Sequence, residues 1–149
     1  MIRLSKLADY GIVLSSHIAV GRPGQVHAAK DLSLATAIPL PTVSKVTKAL
    51  ARAGLLVSHR GADGGFALAR PATEITVAQV ITALDGPIAV MECTGEDHGT
   101  CGIESSCGVR GHWDRINEAI RQALDGLTIA AMSKPSFPWD RAKKSEVVS

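Results

Sequence analysis

Apolar residues recur at three- and four-residue steps through much of this chain, and that spacing is typical of amphipathic helices. Residues 3–20 form the first such segment, with a stripe made by Leu4, Leu7, Gly11, Leu14 and Ile18. The turn of glycine, arginine and proline at residues 21–24 ends the segment. The pattern therefore predicts a first helix with one buried face, and Asp9 lies off that face.

Two further helical segments follow, with residues 39–41 between them. The first starts near Val26, and its apolar face is Ala28, Ala29, Leu32, Ala35 and Ile38. The second starts at Pro41, because a missing N–H costs nothing at the first position of a helix. Its expected buried face is Val43, Val46, Ala49 and Leu50. This spacing is typical of a helix-turn-helix, whose second helix enters the major groove of DNA.

The polar face of that second helix carries the candidate DNA contacts, Thr42, Ser44, Lys45 and Lys48. Short hydroxyl side chains can reach base edges, and lysine ammonium groups neutralise phosphates. The alternative interpretation is an ordinary helical hairpin with a solvated basic face. The next stretch of sequence favours DNA binding.

Two short extended runs, residues 55–60 and 66–70, are joined by a glycine-rich turn at residues 61–65. A two-stranded hairpin directly after a helix-turn-helix is the winged-helix arrangement. Arg60, with His59 beside it, lies at the tip and is a candidate for the minor groove, whose negative potential attracts arginine. The other interpretation is a surface hairpin whose arginine is only solvated.

The C-terminal half is predicted to be helical on both sides of a short loop. Thr76 and Gln79 have the spacing of a capping box, and the helix that they open ends at residues 86–87. Residues 108–126 predict a long helix, whose apolar stripe is Val109, Trp113, Ile116, Ile120, Ala123, Leu124 and Leu127. Such a stripe packs on its own domain or on a second copy, and we favour the copy because winged helices read palindromic sites as dimers. Thr128 is expected to cap a last short helix through Met132.

Charge separates the chain into two halves. Residues 1–72 carry nine Lys/Arg and three Asp/Glu, a net charge of +6, whereas residues 73–133 carry three and nine, a net charge of −6. A basic first half indicates a polyanionic partner. The apolar share of 46% suffices for a core, and no apolar run approaches the length of a membrane span. We expect a cytoplasmic protein without a signal peptide.

All three cysteines, Cys93, Cys101 and Cys107, fall within one loop of glycine, serine and acidic residues. A hydrophobic core does not require cysteines in such a setting, but a soft metal or an iron–sulfur cluster does. In the cytoplasm such a trio favours metal binding or redox sensing over disulfides. Structural zinc, held by the three cysteines with a histidine or an aspartate, is the alternative. The chain has no Cys-x-x-Cys pair, Ser–His–acid arrangement or phosphate-binding loop, so we do not expect an enzyme.

With these motifs in place, the sequence resembles the winged-helix iron–sulfur regulators typified by IscR, NsrR and RirA. It is most similar to the branch that regulates the SUF system of cluster assembly. The resemblance covers residues 1–132 and is carried by residues 3–6 with Tyr10, residues 43–46, residues 53–56, the wing at residues 60–66, the cysteine trio and Trp113. The fold it implies is mainly α, a winged helix-turn-helix with a two-stranded β wing and a long C-terminal dimerisation helix.

The resemblance implies a homodimer that binds double-stranded promoter DNA and holds one iron–sulfur cluster per subunit. The ligands would be Cys93, Cys101 and Cys107. Bases would be met by Thr42, Ser44 and Lys45, and the minor groove by Arg60. The phosphate backbone would lie near Ser5, Lys6 and Tyr10.

Three positions bear on the cluster type. Seven residues separate Cys93 from Cys101, a longer spacing than is common in the family. Arg110 stands where members with a 2Fe–2S cluster have a histidine ligand. Asp9 stands where members with a 4Fe–4S cluster supply an aspartate from the partner subunit. The resemblance therefore favours 4Fe–4S with Asp9 as fourth ligand, and His98 and His112 are the competitors.

The sequence thus predicts five parts: a DNA-binding module at residues 1–72, a linking helix at 73–92, the cysteine loop at 93–107, a dimerisation helix at 108–132 and a disordered tail at 133–149. The expected function is a transcriptional regulator that senses cluster status or redox stress and controls SUF genes. A regulator with structural zinc and a nitric-oxide-sensing repressor are the alternatives.

Overall fold

The structure is a computed structural model that describes residues 4–95 and 99–134. Its elements are α1 (Lys6–Val20), α2 (Ala29–Thr36), α3 (Leu40–Arg52), β1 (Leu56–His59), β2 (Gly65–Leu68), α4 (Val77–Asp85), α5 (Arg110–Asp125) and α6 (Ile129–Met132). Short 3-10 turns lie at Ala72–Glu74, Glu92–Thr94 and Glu104–Ser106. The mainly α winged helix expected from the sequence is confirmed. Arg3, His98 and residues 135–149 lie outside the described residues.

Helix α1 begins later than the apolar stripe predicts. The Ser5 hydroxyl accepts a hydrogen bond from the N–H of Ala8 at 3.0 Å, which makes Ser5 the N-cap. Leu4 precedes the cap and is 47% exposed, so its assignment to the buried stripe is wrong. The predicted positions Leu14 and Ile18 are buried as expected.

Helix α2 begins at Ala29 rather than near Val26, because the backbone of His27 pairs with the wing. His27 forms a β-bridge with Phe66, with N–H to carbonyl distances of 2.8 and 2.9 Å. The helix ends at Thr36, and the left-handed Ala37 (φ 61°) turns the chain so that Ile38 is buried. Ala35 is exposed, which corrects its expected place in the buried face.

Helix α3 buries Val43, Val46 and Leu50 as predicted, but Thr47 takes the fourth buried position. The expected residue there, Ala49, is only half-buried. The Thr47 hydroxyl donates to the carbonyl of Val43 at 2.7 Å, which allows a polar side chain in the core. The helix begins at Leu40, one residue before the predicted start.

The wing is an antiparallel pair in which Leu56 lies opposite Leu68 and His59 opposite Gly65. Gly65 has a φ of 156°, and a Cβ there would lie 2.2 Å from the carbonyl oxygen of His27. Only glycine therefore lets the wing approach the bridge residue so closely. The bridge attaches the wing to the chain before α2.

Helix α4 opens with the predicted capping box. The Gln79 N–H donates to the Thr76 hydroxyl at 3.2 Å, and the Thr76 N–H donates to Gln79 Oε1 at 3.1 Å. Its other face lies against α1, where a Cβ on Gly11 would lie 2.3 Å from Leu84 Cδ1. Helix α6 starts at its predicted cap Thr128, and its residue Ile129 completes the main core, which includes Leu14, Leu32, Val43, Val46, Leu50, Ile75 and Val80.

Helix α5 starts at Arg110, two residues after the predicted start, and none of its residues is buried. Leu124 packs on a small cluster of Ala8, Val77 and Ile81, and Asn117 Oδ1 accepts from the N–H of Val90 at 2.9 Å. Within the helix, Ile116 (42% exposed) and Ala123 of the apolar stripe are exposed, whereas Trp113, Ile120 and Leu124 are half-buried. No helix among the described residues is long and apolar enough to cross a membrane.

Candidate DNA interface and cysteine loop

The polar face of α3 is free to meet a ligand. Lys45 and Lys48 are exposed, and Thr42 and Ser44 are half-buried beside the turn that precedes the helix. Neither lysine forms an ion pair with any residue that the structure describes. Two unpaired cations three residues apart lie on one helix face, which suits a row of phosphates.

The wing presents a second cation. His59 ends β1, and Arg60 is exposed in the turn that follows. Gly64 closes this turn by donating its N–H to the carbonyl of Gly61 at 3.0 Å. Arg60 therefore lies where β1 passes into the turn, and its entry into a DNA groove stays a prediction.

The third group of predicted DNA contacts, at the amino end of α1, comprises Ser5, Lys6 and Tyr10. Carboxylates of this chain contact the first two. Asp85 contacts Ser5, and Asp9 Oδ2 lies 2.8 Å from Lys6 Nζ. The hydrogen bond that Lys6 donates to Asp9, together with the negative charge of Asp9, raises the pKa of Lys6 above its usual value of 10.5. The Lys6 ammonium also lies 5.0 Å from the centre of the Tyr10 ring.

The cysteine loop supplies three free thiols. Cys93 is buried in the turn Glu92–Thr94, and Cys101 and Cys107 are half-buried. Across residues 4–95 and 99–134 no three His, Cys, Asp or Glu side chains lie close enough together to hold a metal ion. The thiols fit a thiophilic metal by their chemistry, but in this single chain they are not gathered around one point, and Asp9 lies on α1 with Lys6.

Glu104 ties the loop to the start of α5. Its Oε2 accepts from the N–H of Gly99 at 2.6 Å, and its Oε1 lies 3.1 Å from the Arg110 guanidinium. Arg110, which stands where some family members have a ligand histidine, is here an ion-pair partner. Sequence analysis missed this pair because its spacing follows no helical or strand period.

Sequence analysis also missed the contact of Asp85 with Ser5, which joins residues 80 positions apart. No local signal reveals such a contact. The pairing of His27 with Phe66 was not predicted from the sequence either. Burial lowers the pKa of His27 first, and the nearby His17 lowers it further, while Asp31 acts in the opposite direction.

A helix-turn-helix with a wing, a basic reading surface and a thiol-bearing loop together define a DNA-binding regulator. Residues 4–135 match the Rrf2 family of iron-dependent transcriptional regulators, and the chain belongs to that family. Membership of the family that the sequence resembles is thereby confirmed, whereas the similarity to the SUF branch stays a prediction. The chain is a transcriptional regulator rather than an enzyme.

Individual relatives agree with this assignment. Rv1287 of Mycobacterium tuberculosis, named as an HTH-type transcriptional regulator, is 30% identical over 92% of this chain and 84% of its own length. NsrR of Shouchella clausii, an HTH-type transcriptional regulator, is 24% identical over 86% of each chain. The structure of CymR, the global cysteine regulator of B. subtilis, has a TM-score of 0.71 and 25% identity, covering 92% of this chain and 100% of CymR.

Proposed function

We propose that this chain is a homodimeric repressor or activator that binds promoter DNA, holds an iron–sulfur cluster in the cysteine loop and controls SUF genes. One observation carries the proposal. Three free thiols lie in the loop that joins a basic, fully packed winged helix to a helix with no buried residue. Chemistry at the thiols therefore occurs between the winged helix up to residue 72, called the reading head below, and the proposed dimer contact.

On the DNA side, Lys45 and Lys48 meet phosphates in the major groove, Thr42 and Ser44 face bases, and Arg60 with His59 reaches the minor groove. Exposure of the three cations and their lack of ion-pair partners among the described residues support this assignment. At the amino end of α1, Ser5, Lys6 and Tyr10 lie beside the phosphate backbone, where a helix dipole favours anions.

Replacing Lys45 by Ala tests the DNA surface. We expect weaker binding to a promoter duplex and a salt slope that falls by about 0.9, because one phosphate contact is lost. Lys134→Ala is the control, since it removes the same charge beyond α6. Fluorescence anisotropy across a salt series measures both. Equal losses from the two variants would show that α3 does not meet DNA.

On the metal side, Cys93, Cys101 and Cys107 would hold the cluster, and Asp9 of a second subunit would be the fourth ligand of a 4Fe–4S form. When bound, the cluster supplies iron that reacts with oxidants and with nitric oxide. Asp9 pairs with Lys6 at 2.8 Å, so an Asp9 that served as a ligand would leave the Lys6 ammonium free to meet DNA. This exchange couples cluster status to affinity for the promoter.

Anaerobic Mössbauer spectroscopy with iron and sulfide counts tests the cluster. We expect about four irons and four sulfides per subunit in wild type, and an altered spectrum in Asp9→Ala. Asp31→Ala is the matched control, since it removes an exposed aspartate from α2. Protein that retains zinc and no sulfide would replace the cluster by a structural zinc site.

The dimer contact is assigned to α5. The apolar residues of α5 and its flanks have the spacing of a coiled-coil seam. Three of them are exposed in the single chain: Val109 before the helix, Ile116 within it and Leu127 after it. A second copy covers this face and brings Asp9 to the other subunit's loop.

A further inference from the structure

The amino end of α1 is capped by a carboxylate from a distant part of the chain. Asp85 Oδ2 accepts a hydrogen bond from the backbone N–H of Ser5 at 3.1 Å, and the Ser5 hydroxyl donates to Asp85 Oδ1. The same hydroxyl accepts from the N–H of Ala8. The Asp85 carboxylate thus accepts hydrogen bonds from both donors of the N-cap residue Ser5, its backbone N–H and its hydroxyl.

The position of Asp85 within its own helix does not explain this contact. Asp85 is the last residue of α4, where a negative charge opposes the helix dipole. At the amino end of α1 the dipole has the opposite sign and favours an anion. The carboxylate therefore acts on α1, the helix whose first residues are assigned to the phosphate backbone.

We propose that Asp85 occupies the position that a DNA phosphate takes at the amino end of α1, so that the two anions compete for Ser5. The inference rests on the proposed function. An N–H and an O–H at a helix start are the donors that bind phosphate. Lys6, Asp9 and Asp85 together carry a net negative charge, which opposes a phosphate while Asp85 remains in place.

The location of Asp85 makes the competition sensitive to the cysteine loop. Helices α1 and α4 are packed tightly at Gly11 and Leu84, close to the Asp85 contact. Beyond Asp85 the chain turns at Gly86 (φ 83°) and reaches Cys93 eight residues later. Asp85 is the last residue of α4, and Ile88 in the segment that follows packs on the cluster that includes Ala8 of α1. A rearrangement of the loop therefore reaches the amino end of α1 through this segment and the Asp85 carboxylate.

The test compares Asp85→Asn with Asp125→Asn. Asp125 is the last residue of α5, and its Oδ1 accepts from the hydroxyl of the N-cap residue Thr76 at 2.9 Å. Both variants remove one negative charge from a helix end that contacts an N-cap, but only Asp85 lies on the proposed DNA surface. The probes are a duplex of about 30 base pairs selected by the wild-type protein from a random pool, and a mixed-sequence duplex of equal length.

We expect Asp85→Asn to bind the selected duplex about three- to fivefold more tightly than Asp125→Asn does. Its salt slope should be steeper by about 0.9, because one more phosphate is engaged. The gain should be smaller when Ser5 is also replaced by Ala, since the contested hydroxyl is then gone. Asp85→Ala is measured in parallel, so that the comparison stands if either variant folds, as checked by thermal melting.

Equal affinities for Asp85→Asn and Asp125→Asn would overturn the inference alone. Weaker binding by a folded Asp85→Asn would also overturn it, because the carboxylate would then position α1 for DNA rather than compete with it. Wild-type protein that binds neither duplex would overturn the proposed function and this inference together.

Discussion

Helices α3 and α5 divide their apolar and polar faces in the same way, but their own chain covers α3 far more fully than α5. Four residues of α3 are buried, by α1, α2 and β1, whereas no residue of α5 is buried. An apolar pattern in the sequence predicts that a helix face will be covered, but it does not indicate which surface covers it. The reading head is complete in one chain, and we propose that the C-terminal half is completed by a second copy and by metal.

The largest expected effect lies in the head. Leu50 is fully buried in α3, so Leu50→Ala should lower the free energy of unfolding by about 2–5 kcal/mol. Leu34→Ala makes the same substitution on α2 at a side chain that is 76% exposed, and it should cost under about 0.5 kcal/mol. Urea denaturation at one fixed protein concentration measures both. Similar losses would mean that the head lacks the core described above.

A second experiment tests whether a second copy of the chain covers the apolar face of α5. Ile116→Asp places a charge on the proposed contact between copies and should raise the dimer dissociation constant at least about 100-fold. Leu34→Asp is the control, because it introduces the same charge on an exposed leucine of α2. Sedimentation equilibrium gives the masses, and circular dichroism should show that the head stays folded. A dimer unaffected by Ile116→Asp would place the contact elsewhere.

A smaller effect is expected at the wing. Gly61 and Gly65 both have positive φ values, of 108° and 156°, but only at Gly65 would a Cβ meet backbone, at the carbonyl of His27. Gly65→Ala should therefore destabilise the protein by about 1–3 kcal/mol, and Gly61→Ala by less. Thermal melting compares them. A larger loss at Gly61 would contradict the tight bridge between wing and head.

The smallest effect concerns pH. Burial and the neighbouring His17 lower the pKa of His27 from its usual value of 6.5, so the unfolded chain binds a proton first as pH falls. Stability from this residue is present above pH 6.5 and is lost as pH falls below that value toward the folded pKa. The melting temperature should drop on acidification less in His27→Gln than in wild type. His112→Gln, on the exposed face of α5, should behave as wild type.

Local signals predicted much of this fold. The capping box at Thr76, the cap at Thr128 and the apolar face of α3 each depend on residues within four positions of one another. The wing was predicted because its glycine-rich turn separates two apolar runs. Interactions of this range depend on neighbouring residues, so the sequence alone predicts them.

Long-range contacts were the ones that sequence reasoning missed. His27 was assigned to α2, but its backbone pairs with Phe66, which delays the start of the helix. The contact of Asp85 with Ser5 and the ion pair of Glu104 with Arg110 also depend on the folded path of the chain. The site at the cysteines is the extreme case, because its proposed fourth ligand belongs to a second subunit.

We propose that chemistry at the cysteine loop changes the affinity of the reading head for promoter DNA. The most direct test measures promoter affinity of anaerobically purified protein before and after iron is removed by a chelator, in wild type and in a variant with Cys93, Cys101 and Cys107 replaced by Ser. We expect a change of at least about tenfold in wild type and none in the variant. Equal affinity of wild type before and after iron removal, with cluster loss verified by sulfide counts, would contradict it.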